Sequence, residues 1–410
     1  MIGILNINSR VIGKSGDHFI VTNSPDATLE SGNDFAFVVD KNGKIMTGVL
    51  PIEYLMRRGR WEAANGHYSQ YISRPNRDIV RDGLMGLAVG DALGVPVEFL
   101  DRQTVRNINI TEMVGLEDKL PFQSRWGQMI PSGSWSDDTS MTISAMETIT
   151  KDKGEIKYDH IMDSFLDWWF GKKYTSLGTP FGLGGVVGKA LDSYSRGIPA
   201  LDCGGKDFKD NGNGSLMRML PFSIYCIENK LSEEESFAVI KKASSLTHAH
   251  DISVMSCFIY TEFLRCLKAT RNPKISHDYI CSIDYSKYFS QEAINEHSKL
   301  IRFDFPFIND SDISEENGYV IPTLESAIYS ILETNNFEEA VEKAINMGYD
   351  TDTIGAITGS LAGVLYGYDD IPDRWLQKLR KREELEKIAN SYSDMLLAIN
   401  NQKYIEQEKK

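Results

Sequence analysis

Gly83-Leu84-Met85-Gly86-Leu87-Ala88-Val89-Gly90-Asp91-Ala92-Leu93-Gly94 leads without a break into Val95-Pro96-Val97-Glu98-Phe99. Gly86, Gly90 and Gly94 stand four residues apart, so a helix would carry them on one face. Each glycine weakens a helix by up to ~1 kcal/mol relative to alanine, and a row of them needs a compensating role. A second row, Gly355, Gly359, Gly363 and Gly367, repeats the spacing near the other end of the chain. Together the rows predict helices in close approach at the centre of a bundle. A membrane-helix dimer is the competing reading, and Asp91, Glu98, Asp350 and Asp352 beside the rows argue against it.

Helical apolar spacing continues at residues 141–146, 165–169, 236–243, 324–332, 354–365 and 375–388. No regular alternation of strand and helix accompanies it, which argues against a parallel α/β sheet. Residues 271–317 are polar and irregular and read as an insertion or long loop with short helices. The Lys/Glu-rich end after Ala389 reads as solvated helix and frayed tail. Residues 1–76 differ. Apolar runs such as Ile2-Gly3-Ile4-Leu5, His18-Phe19-Ile20-Val21-Thr22 and Phe35-Ala36-Phe37-Val38-Val39 alternate with turn residues. Asp40-Lys41-Asn42-Gly43-Lys44 is one such turn, a pattern of strands joined by a hairpin. Pro51 would open a helix through Arg60, and residues 73–77 would be a linker. The expected organisation is a small β-rich or α+β accessory domain at 1–76, followed by a helical domain at 77–410.

The 410-residue chain is 41% apolar and 25% charged, ordinary for a soluble globular protein with a sizeable core. A net charge of −14 argues against a broad nucleic-acid footprint, which needs clustered Lys and Arg. An anionic ligand can still be held by a bound cation or by helix N-termini. The five cysteines form no CxxC pair, as expected of reduced thiols rather than disulfides or a zinc site. Residues 1–10 lack a basic start with a long apolar run, and no apolar stretch is long enough to span a bilayer. The expected location is the cytoplasm, without membrane contact.

Two acidic clusters, Ser136-Asp137-Asp138-Thr139 and Asp350-Thr351-Asp352-Thr353, each stand just before a helical stretch. Either alone reads as capping, since short polar side chains accept the orphan N–H groups of a helix start. Two clusters of paired acids exceed what capping needs. Their like charges repel unless protonated or bridged by a cation. The candidate ligands are all hard oxygens, which favours Mg2+ or Mn2+ over zinc and suits a pair of ions.

Five blocks stand in order along the chain: residues 83–99, Trp135-Ser136-Asp137-Asp138-Thr139, Asn213-Gly214-Ser215-Leu216-Met217-Arg218, Leu246-Thr247-His248 and residues 348–359. Together they resemble the ADP-ribosylglycohydrolase family, of the dinitrogenase reductase-activating glycohydrolase kind. The resemblance implies an all-α fold around a cleft holding two magnesium ions. By matching position, Ser136, Asp137 and Asp138 are ligands from one side, and Asp350, Asp352 and Thr353 from the other. Ser136 stands where the family more often has Thr, and it keeps the hydroxyl. Tyr349 replaces a common Gly and would narrow the cleft or touch the ligand.

Glu98 matches a mobile Glu in one branch of the family, and would move a proton beside the metals. With Asp138 and Asp350 it makes up the expected catalytic group; its plainer role is a charge after the Val95-Pro96 turn. Gly182, Gly184 and Gly185 are expected to cradle phosphate through their amides. Gly182 stands where arginine-directed members tend to have Asp, so the loop looks more similar to the branch acting on serine-linked or O-linked ADP-ribose. Asn213, Gly214, Ser215, Met217 and Arg218 match a segment that contacts the distal ribose and diphosphate, and His248 matches a histidine at the ribose or phosphate. A loop turn, a core Met217 and a structural salt bridge of Arg218 are the plain alternatives. His250 reads as polar surface, and Trp168 and Trp169 as core.

The implied activity is magnesium-dependent hydrolysis of the bond between ribose and a side chain of an ADP-ribosylated protein, N- or O-linked. A second implied role is an immunity protein that neutralises an ADP-ribosyltransferase toxin, by hydrolysis or by steric blockade through residues 1–76. A hydrolase for a free nucleotide-sugar or nucleoside is the third reading.

Overall fold

Asp78 starts the helical part of the chain. Its carboxylate accepts from the amides of Val80 (2.9 Å) and Arg81 (3.4 Å) and so caps α1, Ile79–Gly94. The computed structural model describes residues 2–5, 18–21, 28–32, 35–39, 45–51 and 78–408, apart from 121, 123, 124, 128, 306, 307, 316 and 317. After α1 come α2 (Arg102–Ile108), α3 (Asp137–Lys151), α4 (Tyr158–Trp169), α5 (Gly185–Ser195), α6 (Leu220–Glu228) and α7 (Glu233–Ser245). They are followed by α8 (Asp251–Thr270), α9 (Pro273–Ser282), α10 (Gln291–Glu296), α11 (Val320–Leu332) and α12 (Phe337–Ile345). The last are α13 (Thr351–Tyr366), α14 (Asp373–Lys378) and α15 (Arg382–Glu408). No strand occurs among the described residues from Asp78 onward, and this part is all-α.

The glycine rows make the central contact. α13 is buried along its whole length and α1 along nearly all of it. A β-carbon on Gly86 would strike the carbonyl oxygen of Gly359; on Gly90, that of Gly355; on Gly94, that of Thr351. Backbone therefore runs directly against backbone, which only glycine allows. Gly367 does not share this role: it closes α13 with φ of 96°, its amide donating to the Gly363 carbonyl (2.7 Å). α3 and α15 pack against α1, while α11 and α12 pack against α13.

Two expectations need correction. Residues 375–388 are not one helix: Leu379 is extended and Lys381 left-handed (φ 53°), separating α14 from α15. The break lets the Arg380 amide donate to the Gly133 carbonyl (3.0 Å), while the Arg380 carbonyl accepts from Trp135 Nε1 (2.9 Å). Those bonds tie the loop ahead of α3 in place. Residues 271–317 do carry short helices, yet Tyr285, Phe289, Leu300, Phe305 and Ile313 are buried, so polar composition hid a contribution to the core.

The chain divides into two compact units. One comprises Asp78–Thr261, Ser286–Leu300 and Asp304–Lys410 and contains the whole site below. The other takes in the strands and Glu262–Tyr285, where the buried Glu262 carboxylate accepts from Arg265 Nε (3.1 Å) and the Tyr279 hydroxyl (2.8 Å). Its strands, β1 (Ile2–Leu5), β2 (His18–Val21), β3 (Thr28–Gly32), β4 (Phe35–Val39) and β5 (Ile45–Pro51), form one sheet in sequence order. Pro51, expected to open a helix through Arg60, instead ends β5; residues 52–60, the expected turn at 40–44 and the expected linker at 73–77 lie outside the described residues. All five cysteines are free, and no single described helix is long and apolar enough to cross a membrane.

Candidate active site

One helix end fixes the starts of two others. Asp91, near the end of α1, accepts the amides of Ser136 (2.9 Å) and Thr139 (3.0 Å) and the Thr139 hydroxyl (2.6 Å), holding the first turn of α3. Thr351 Oγ1 donates to the Gly94 carbonyl (2.8 Å), holding the first turn of α13. The sequence offered Asp91 only as a charge within the glycine row; its role as the anchor of α3 is legible only in three dimensions.

These turns bring the two acidic clusters together at Asp138. Its Oδ2 accepts from Ser136 Oγ (3.1 Å) and Thr353 Oγ1 (3.5 Å), one hydroxyl from each cluster. Its Oδ1 is buried without a partner. Carboxylate oxygens of Glu98, Asp350 and Asp352 lie within 4.8 Å of one another. Asp350 is the N-cap of α13 yet makes no side-chain capping bond; it accepts from Asn213 Nδ2 (2.7 Å) instead. Capping therefore does not explain it. Glu98 follows the short helical turn Val95–Val97 and accepts a hydrogen bond from Trp126 Nε1, a partner the sequence did not suggest. An orphaned buried oxygen among carboxylates and hydroxyls fits a divalent metal.

Burial and mutual repulsion push Glu98, Asp137, Asp138 and Asp352 towards the protonated form. The Asp137 carboxyl rises to about 8, by burial and then by the charge of Asp91. Glu98 rises to about 9, by burial and then by Asp350 and Asp137. Asp138 and Asp352 are held well above the usual carboxylate range for the same reason. Groups with raised folded-state values contribute stability below about pH 4 that is lost as pH climbs through about 8–9. A bound divalent cation opposes that loss by favouring the ionised form. The rise in Tm on adding metal to chelator-stripped protein should therefore grow between about pH 5 and about pH 8, by about 5 °C or more. Scanning calorimetry checks this, and a metal effect independent of pH would place the cation elsewhere.

A cleft of about 220 Å³ opens over the cluster. The acids Asp137, Asp138, Asp350 and Asp352 line it with Thr353, Phe99, Gly182, Gly184, Gly185, Val186, Val187, Gly212, Asn213, Gly214, Met217, His248 and Gly318. No Lys or Arg is among these lining residues. α5 begins at the cleft, with Gly184 as its N-cap and no side-chain capping bond. The first-turn amides of Gly185, Val186 and Val187 have no intrahelical partner and suit an anion. Val186, Val187, Gly212 and Gly318 are lining residues that sequence reasoning passed over, since apolar and glycine positions carry no chemical mark.

The other expected site residues stand behind this surface. Ser136 and Ser215 are buried, with Ser215 Oγ bonded to Cys257 Sγ (3.4 Å) and Ser244 Oγ (3.0 Å). Arg218 departs furthest from expectation. It is fully buried, and both Nη atoms donate to the Ala243 carbonyl (3.3 Å), so its charge does not reach the cleft. Nor does Tyr349 narrow it: the backbone there is left-handed (φ 62°), and the hydroxyl turns out to Glu315 (2.9 Å). Trp168 is core, next to the Trp169 ring, and half-buried His250 bonds Asn211 (3.1 Å).

Gly182 has φ of 90°, and a β-carbon there would fall on Asp137 Oδ1. Gly182→Ala should cost about 1–2 kcal/mol of stability through the left-handed backbone. By displacing Asp137 it should lower turnover by about 10²-fold. Unchanged kcat/KM in that variant would show that Asp137 does not need its position.

The sequence pattern of the family described as ADP-ribosylglycohydrolase matches residues 73–404. The ADP-ribosylarginine hydrolase Tri1 of Serratia proteamaculans is 30% identical over 319 residues, covering 76% of this chain and 78% of the relative. The ADP-ribosyl-[dinitrogen reductase] glycohydrolase of Rhodospirillum rubrum is 26% identical over 315 residues, covering 77% of this chain and 94% of the relative. A solved structure described as an ADP-ribosylglycohydrolase-related protein complex superposes with a TM-score of 0.59 at 29% identity, covering 78% of this chain and 98% of that one. Because the match runs through both acidic clusters and both helices of the glycine rows, the chain belongs to the ADP-ribosylglycohydrolase family, enzymes that hydrolyse ADP-ribosyl linkages.

Proposed function

We propose that the cleft cleaves the bond between the ribose of an ADP-ribosyl group and an arginine side chain of a modified protein, with two magnesium ions held by the acidic clusters. The observation that carries this reading is Asp138: a buried carboxylate with one unpartnered oxygen, between two clusters of acids, in a cleft with no Lys or Arg in its lining. Ser136, Asp137 and Asp138 would hold the ions from α3, and Asp350, Asp352 and Thr353 from α13. When bound, the ions would neutralise the cluster and polarise ribose oxygens as the reacting carbon gains oxocarbenium character.

The chain's own groups divide the remaining work. The α5 amides with Gly182, Gly184 and Gly185 take the diphosphate, and Asn213, Gly214 and His248 orient a ribose. Glu98, held by Trp126, stands beside Asp350 and Asp352, where it can exchange a proton with the leaving side chain or the attacking water. Arginine is favoured by the name of the Serratia relative and by charge, since an acidic cleft suits a guanidinium. Gly182 stands where arginine-directed members of the family tend to have Asp, so on this reading the guanidinium is met by the cluster itself.

Mass spectrometry of proteins carrying arginine-linked, serine-linked or nucleic-acid-linked ADP-ribose, with and without Mg2+, tests this. Release from arginine alone, and only with the metal, is expected. Release from serine alone would overturn the linkage, and no release from any substrate would overturn the hydrolysis. Glu98→Gln should lower kcat by about 10²–10⁴-fold while ADP-ribose still binds, as for loss of a general acid or base. Wild-type kcat in Glu98→Gln would remove Glu98 from the chemistry.

A second role is favoured by the place where the match begins. Residues 1–76 lie almost wholly ahead of the matched segment 73–404. We propose that they form a β-rich accessory domain that docks on an ADP-ribosyltransferase and blocks it. Deleting residues 1–76 should abolish co-purification with the transferase and leave hydrolysis intact; retained binding would relocate the partner surface.

A further inference from the structure

Arg218, displaced from the phosphate role expected of it, meets the cleft through two other residues. Its guanidinium is completely buried, lies 4.9 Å over the Phe165 ring, and donates from Nη2 to Thr247 Oγ1 (2.7 Å). Among the described residues no carboxylate bonds it; burying such a charge is expensive, and an apolar side chain would fill the space at lower cost. The charge therefore calls for a role.

Proton accounting supplies one. Arginine can only donate, so Thr247 Oγ1 is the acceptor of that bond. The hydroxyl has one proton of its own, and its other partner is His248 Nδ1 at 2.8 Å. No third partner meets Thr247 Oγ1 among the described residues, so the proton points to Nδ1 and makes that nitrogen an acceptor. The ring proton then sits on Nε2. Burial and the neighbouring Arg218 charge also keep the ring neutral, pushing it down to about 3. Nε2 lies close to the Gly212 and Gly214 backbone, both lining residues of the cleft. No acceptor meets it among the described residues.

We propose that Arg218 and Thr247 form a relay that fixes His248 in its Nε2–H form, so that the ring offers the cleft a neutral N–H donor for an oxygen of the bound nucleotide sugar. Arg218 and Thr247 are positioning residues; His248 touches the ligand. The inference about the ligand rests on the ADP-ribose reading of the cleft, whereas the ring's tautomer does not. A donor locked in this way accepts a ribose or phosphate oxygen as partner and rejects a ligand N–H at the same point.

The full-length protein, labelled with 15N-histidine, tests the relay through long-range 1H–15N spectra. The seven histidines are sorted by the signal lost in His248→Gln. Wild type should show the Nε2–H tautomer. Thr247→Val, which removes the hydroxyl and keeps the shape, should show a mixture of tautomers and weaken calorimetric binding of ADP-ribose about 10-fold. Thr247→Ser should restore both. Arg218→Met should also mix the tautomers, by letting Thr247 accept from Nδ1–H; if it fails to fold, the Thr247 pair decides. An Nδ1–H or charged ring in wild type, or an unchanged tautomer in Thr247→Val, would overturn the relay. Failure of wild type to bind ADP-ribose would instead overturn the ligand reading, with the relay still decided by the spectra.

Discussion

Asp350→Ala should lower metal-dependent release of ADP-ribose by on the order of 10³-fold, the scale of losing one preorganised electrostatic group, without destabilising the metal-free protein. The two halves of that expectation come from the same geometry. Asp350 starts α13 but leaves the helix amides uncapped, so its removal costs no capping bond. It accepts from Asn213, whose amide also donates to Thr323 Oγ1 (3.1 Å) and keeps that partner in the variant. Its charge is among the causes that raise Glu98, Asp137, Asp138 and Asp352. Deleting it relieves repulsion among buried acids, so Tm in chelator should stay level or rise, while the gain on adding Mg2+ should vanish. A purely structural Asp350 would give the reverse, lower Tm with turnover retained. Steady-state release and calorimetry on one preparation distinguish the two, and near-wild-type turnover would sink the metal assignment.

How much of this was legible in the sequence follows from which interactions are local. The two acidic clusters could be read because adjacent like charges before a helix exceed what capping requires. The glycine rows could be read because period four on an apolar helix has a cost that needs a reason. Asp91 could not: a single acid in an apolar run looks the same whether it anchors another helix or faces solvent. Arg218 misled for a related reason, since a cation near Asn213-Gly214-Ser215 suggests phosphate. Only three dimensions show the guanidinium turned towards Ala243 and Thr247. The break between α14 and α15 was hidden too, because it is set by Gly133 and Trp135, far away in sequence.

Seen in this way, the fold and the site are one construction. α1 carries Asp91 near its end and leads into Glu98; α13 begins with Asp350 and Asp352; and the glycine contact sets the distance between them. Positioning residues on rigid helices suits a site that must hold several like charges close together. Helix starts help, since the N-termini of α3, α5 and α13 all face the cleft and carry positive partial charge.

Gly90→Val is therefore expected to abolish soluble folding, the largest stability effect of any single change considered. A β-carbon on Gly90 falls on the carbonyl oxygen of Gly355, and the obstacle is helix backbone, which cannot rotate away as a side chain can. Relief requires α1 and α13 to separate, opening the centre of a densely packed core. Overpacking alone costs about 1–3 kcal/mol, and the branched valine adds to it, so about 4 kcal/mol or more is expected against a total stability of about 5–15 kcal/mol. Gly90→Ala sets two effects against each other: the gain in helix propensity, up to ~1 kcal/mol, against the same clash. The clash should win, leaving a folded protein with a lower Tm and impaired hydrolysis as Glu98 moves from Asp350. Gly188→Ala, at a half-buried position of α5 with only ordinary contact to Leu183 (3.4 Å), provides the contrast and should gain up to ~1 kcal/mol. Soluble expression and calorimetry of the three variants check the order. A Gly90→Val protein with wild-type Tm would mean that the glycine rows do not set the spacing on which the site depends.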